Sequence, residues 1–151
     1  SRTIIGLAGK PASRSGRLSS NVRPHRMDPV VDLYSRIRQD FPGVAASADV
    51  FHQKRWDGTL DVGGEYAWFE ALADALNDEM RREVPYSAHR ALFEHLTDAY
   101  ASGPAPVQQC IDVSFVENLF WRVPSERCAP YWKKVPLAIK QLYLGFHGRE
   151  P

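Results

Sequence analysis

Nowhere does this 151-residue chain contain the roughly 18–20 consecutive apolar residues needed to cross a bilayer. Its first residues have neither the unbroken apolar stretch nor the cleavage pattern of a secretory signal. Together these absences make a cytoplasmic location the default expectation and give no reason to expect a membrane partner. Cysteine is scarce too. Cys110 and Cys128 are the only two, and neither has a CxxC neighbour. That spacing argues against a zinc site and gives little support to a disulfide framework, so both are expected as reduced, semi-buried thiols.

Catalytic signatures are equally sparse. There is no GxxxxGK[ST] phosphate loop, no GxGxxG, no HExxH and no GxSxG. The stretch "GGEYAW" puts two glycines before a helix and could expose amides to an anion, but Glu65 beside them would repel phosphate. His89 and His95 stand six apart on one helix and point in different directions, which does not make a two-histidine metal site. A hydrolase assembled from Glu117, a histidine and Cys110 or Ser114 is conceivable, although spacing does not require it. No cofactor, metal or catalytic residue is assigned from these patterns.

What is present describes one ordinary globular domain, with 44% hydrophobic and 25% charged residues. Charge is unevenly spread. Residues 1–26 hold six basic side chains and no acid, so the remaining residues carry thirteen Lys/Arg against eighteen Asp/Glu, a net of −5. The leader has no helical or alternating period, and Met27 precedes the first amphipathic helix. Residues 1–26 therefore read as a disordered leader or an added upstream segment, and residues 27–151 as the domain. Nucleic acid becomes a candidate partner only if the leader is native.

Along the domain, Pro29 opens a helix that "FPG" at 41–43 stops. The following stretch to Gly64 reads as a loop with one short helical turn. Glu65 to Glu83 is the clearest helix, with Phe69, Leu72, Ala73, Leu76 and Met80 on one face. Ser87 is the expected cap of the next helix, which "SGPAP" ends. Pro106 opens a helix expected to run through Trp121. A short segment broken by Pro130 follows, and Pro136 starts a final helix stopped by Gly145 or Gly148. No strand–turn–strand pattern occurs. The expectation is an all-α, single compact bundle of five or six helices, with two stacked helical hairpins of solenoid type as the alternative.

Within "DVSFVENLFW", helical spacing puts Cys110, Ser114, Glu117, Asn118 and Trp121 in one sector, and Phe115, Val116, Leu119 and Phe120 on the other side. A rod so apolar is expected at the centre of the bundle. Its polar groups then either form an internal network, with Lys133, Lys134, Arg122, Tyr131 or a histidine as partners, or line a ligand groove. Two further surfaces qualify as interfaces. One is the acidic row Glu70, Asp74 and Asp78. The other is the edge "YWKKVP", where Tyr131 and Trp132 join Lys133 and Lys134. Trp56, Trp68 and Tyr143 complete an aromatic complement that serves either core or interface.

"CIDVSFVENLFWRVP" followed by "YWKKVPLAIKQLYLGFHG" resembles an uncharacterised family of small bacterial proteins known as a domain of unknown function, over about residues 28–148. That likeness transfers no activity and no catalytic residue. Small acidic proteins of this kind are sometimes immunity proteins. The sequence thus suggests a non-enzymatic protein-binding domain, of immunity or adaptor type, whose partner is another protein. The alternative is a small enzyme or ligand-binding domain using a groove around Glu117 and Asn118.

Overall fold

The computed structural model describes residues 28–55 and 64–151. The readings placed on residues 1–27, on Trp56 and on the turn signals from Asp57 to Gly63 lie outside them. Among the described residues every regular element is helical, and the fold is all-α as expected.

Helix α1 spans Pro29–Asp40. Asp28 caps it, its carboxylate accepting the amides of Val30 at 2.8 Å and Val31 at 3.3 Å, and Pro29 needs no partner at the first position. Phe41 interrupts the chain only briefly. Helix α2, Pro42–Arg55, starts at the next residue, so most of the stretch expected as a loop is helix. Its buried positions are Ala45, Ala48 and His52, a face too small and too mixed to produce an apolar period. Small side chains allow close approach, and α2 forms its most extensive pairing with α3, Gly64–Arg81.

Helix α3 is the axis of the molecule. Ten of its eighteen residues are buried, among them Trp68, Phe69, Leu72, Leu76 and Met80, and it contacts α1, α2, the segment 110–118 and the helix Ser125–Trp132. Each large apolar side chain enclosed there contributes about 1.5–3 kcal/mol. This corrects the expectation that the segment 107–121 forms the central rod. Asp49 ties the first three helices together: it pairs with Arg38, and its Oδ1 accepts the Trp68 indole N–H at 2.9 Å.

The chain then passes through one 3₁₀ turn, Tyr86–Ala88, into α4, Arg90–Ser102. Ser87 lies within that turn and does not cap α4; His89 occupies the cap position without a side-chain bond. Helix α5 begins at Ala105–Gln109, widens to a π-helix over Cys110–Phe115 and tightens to one 3₁₀ turn at Val116–Asn118. The helix ends there, so Leu119, Phe120 and Trp121 lie beyond it. A hairpin of α6, Ser125–Trp132, and α7, Leu137–His147, completes the fold. Gly148, at φ 75°, stops α7 in the left-handed conformation that glycine adopts without strain.

Candidate functional site

The change from π-helix to 3₁₀ turn has a consequence at its far end. Phe120 (φ 68°) and Arg122 (φ 56°) both adopt the left-handed backbone region, which costs a non-glycine residue about 1–2 kcal/mol. Two such residues within three positions must be held by their surroundings. Asn77, 1% exposed in the middle of α3, supplies the hold. Its Oδ1 accepts the Phe120 amide at 2.7 Å, and its Nδ2 donates to the Asn118 carbonyl at 2.9 Å. One turn further along α3, Arg81 donates to the carbonyls of Trp121 at 3.3 Å and Arg122 at 3.4 Å. The Phe120 ring, nearly fully buried, meets Tyr143 at 5.4 Å and Trp132 at 5.9 Å between ring centroids. Burial of this ring and the two Asn77 bonds offset the backbone strain.

Four of the five residues of that sector, Ser114, Glu117, Asn118 and Trp121, therefore part company. Ser114 is buried, and its carbonyl accepts the Asn118 amide side chain at 2.8 Å. Asn118 belongs to an internal network, but its partners are Asn77 and Ser114, and none of Lys133, Lys134, Arg122, Tyr131 or a histidine bonds to it. Glu117 is half-buried and makes no hydrogen bond or ion pair among the described residues. Burial, then the nearby Asp112 charge, raises its pKa, opposed by His147. Trp121 is 56% exposed, held on the turn as a surface feature.

Of the two expected interfaces, the acidic row is internally satisfied. Arg55 bridges Glu70 at 2.8 Å and Asp74 at 2.7 Å, and Arg82 meets Asp78 at 3.0 Å. The aromatic edge also needs correction. Tyr131 is 1% exposed, donates its hydroxyl to the Val84 carbonyl at 2.9 Å and packs against Tyr86, so it can touch no partner. Trp132 is half-buried against Phe120 and Tyr143, whereas Lys133 and Lys134 are exposed.

Beside Trp121 opens a cavity of about 460 Å³, lined by the turn itself and by Ser125, Tyr143, His147 and the residues from Arg149 to Pro151. Trp121 and Arg122 form part of its wall, and the Arg122 guanidinium lies 5.6 Å from the Trp121 ring. Arg122 and Arg149 make no ion pair among the described residues, and Glu150 is the acidic side chain in the lining. The His147 ring stacks on Tyr143 at 4.1 Å, and its Nε2 is shielded without a hydrogen-bond partner. Ser114, Glu117 and Asn118 do not line this cavity.

Charge follows the same division. Residues 121–151 carry six basic side chains against two acidic ones, a net of +4, whereas residues 27–120 carry seven against sixteen, a net of −9. The α6–α7 hairpin is the basic pole of an acidic body. It also holds three of the exposed large apolar side chains, Leu137, Leu144 and Phe146, and Trp121 stands on the turn just before it. Sequence reading missed both Asn77 and the cavity. A signal for Asn77 exists: it lies four residues after Ala73 and three before Met80, an amide within the apolar stripe of the core helix.

The remaining chemistry is quiet. Burial pushes the Cys110 thiol up to about 12 and the Cys128 thiol up to about 11, so neither is a ready nucleophile near neutral pH. Among the described residues no group of three or more His, Cys, Asp or Glu is placed to hold a metal ion. No described helix is long and apolar enough to cross a membrane.

Compared with known proteins, the chain matches no curated protein and no solved structure. A family described as a domain of unknown function (DUF7674) matches residues 34–148, which takes in α1 from Tyr34, the Asn77 clamp, the turn and the whole α6–α7 hairpin. The chain belongs to that family.

Proposed function

We propose that this is a non-enzymatic protein-binding domain that docks an acidic segment of another protein on the α6–α7 hairpin. The observation that carries the reading is Trp121, 56% exposed yet fixed on a turn whose carbonyls and amides are bound by α3. A large aromatic ring held in place loses little conformational entropy on binding, which is why tryptophan dominates interface energetics. Charge sets the class of partner: residues 121–151 are at +4 on a negative body, so an acidic surface is attracted and a basic one repelled. The exposed Leu137, Leu144 and Phe146 favour a protein over a nucleic acid, whose backbone offers them nothing apolar. Because Glu70, Asp74 and Asp78 are engaged by arginines, the hairpin takes precedence over that row as the docking face. A cytoplasmic adaptor or an immunity-type protein would each use such a face.

The test is selection of peptides from a random displayed library on the immobilised protein. Wild type is expected to enrich peptides that combine acidic and apolar residues, and Trp121→Ala to weaken the best of them at least tenfold. Failure to enrich, or enrichment indifferent to Trp121, contradicts the reading. So does salt-sensitive capture of an oligonucleotide that Trp121→Ala leaves unchanged.

A further inference from the structure

We infer that the cavity beside Trp121 is an oxyanion pocket that receives the carboxylate of an aspartate or glutamate side chain from the docked segment. This rests on the hairpin being the docking face and names the group recognised there. Two observations converge on it. Arg122 and Arg149 both line the cavity and make no ion pair among the described residues, although most other arginines of the described body are engaged by carboxylates. An unpaired guanidinium presents a planar fork that fits a carboxylate with two parallel hydrogen bonds. Second, Arg122 is placed there by a left-handed backbone at φ 56°, and strain of that kind is retained where it aims a side chain.

The charge of the lining decides between a carboxylate and a phosphoryl group. The lining holds Glu150 and the last residue, Pro151, beside the two arginines, so an entering anion meets negative as well as positive charge. A singly charged carboxylate meets less of that repulsion than a phosphorylated side chain at about −1.5 to −2. Trp121 and Tyr143 supply the aromatic part of the wall.

Nuclear magnetic resonance titration of the whole chain with acetyl-glutamate amide, and separately with inorganic phosphate, tests the inference. Expected are saturable shifts of the Arg122 and Arg149 side chains and the Trp121 indole with acetyl-glutamate amide, weakened at least fivefold in Arg149→Gln and unchanged in Lys134→Gln. Arg149 is exposed, so its replacement leaves the core intact. Non-saturating shifts, shifts spread equally over Lys133 and Lys134, or phosphate binding tenfold tighter than the carboxylate would overturn it. Trp121→Ala separates the two claims. Small-acid binding that survives this change while peptide docking is lost supports both. Trp121-dependent docking indifferent to Arg149→Gln removes the pocket and leaves the docking face. Arg149-dependent binding of the small acid without any peptide docking removes the docking face.

Discussion

Asn77 and Phe120, forty-three positions apart in the chain, meet at 2.7 Å, with the asparagine side-chain oxygen accepting the phenylalanine amide. That bond, with its companion from Nδ2 to the Asn118 carbonyl at 2.9 Å, fixes the geometry from which the exposed Trp121 and Arg122 project. A core amide thus connects the packing of α3 to the surface that the proposed docking uses.

Asn77→Ala removes both bonds, leaving the buried Phe120 amide without a partner and the Asn118 carbonyl with only the Trp121 amide at 3.3 Å. The expected loss is about 2–4 kcal/mol, read as a lower midpoint in urea denaturation. A loss below about 0.5 kcal/mol would mean that the turn holds itself and that Asn77 is incidental.

Arg122→Gly relieves a left-handed backbone at an exposed position. Stability is expected to rise by about 0.5–1 kcal/mol while binding of acidic peptides falls. Calorimetry on one sample and affinity on another check the pair of effects. A stabilised variant with undiminished binding removes the functional reason for the strain.

Gly103 is not a flexible linker but a contact point between α4 and α5. A Cβ built there would clash with the Ala99 carbonyl oxygen and stand 2.8 Å from Val107 Cγ1, and backbone cannot yield as a side-chain tip can. Gly103→Ala is expected to cost about 1–3 kcal/mol in thermal or chemical unfolding.

The two thiols make a pH prediction. Their folded pKa values, about 12 for Cys110 and about 11 for Cys128, lie above the ordinary 9.0, chiefly through burial. The stability they contribute is fully present below pH 9.0 and is lost as pH rises through about 11 and about 12. Ellman's reagent at pH 8 is expected to find neither thiol in the native protein and both in denaturant. Rapid reaction of either in the native state contradicts their enclosure.

The helices that could be read from sequence are those with large side chains on one face. Helix α3 shows Phe69, Leu72, Leu76 and Met80 at the right spacing, and α1 carries its own start and stop in Asp28, Pro29 and the "FPG" stretch. Helix α2 was hidden because Ala45, Ala48 and His52 make a buried face without bulk. The central role passed from the 107–121 segment to α3 because a π-helix and a 3₁₀ turn end the later segment at Asn118, and local composition carries no rule for that change of pitch. For Ser114 and Asn118 an internal network was one of two readings left open, and Asn77, which bonds to Asn118, lies far away in sequence. The left-handed turn was invisible for a related reason: neither Phe120 nor Arg122 is a residue type that favours positive φ, so only tertiary contacts impose it.

Amide hydrogen exchange at Phe120 tests the rigid corner most directly. Its N–H sits outside any helix, yet with Asn77 as acceptor it should exchange as slowly as the core amides of α3 and accelerate strongly in Asn77→Ala. Exchange in the wild-type protein as fast as that of an exposed loop would show a corner that opens freely, and Trp121 and Arg122 would then have no fixed platform from which to dock.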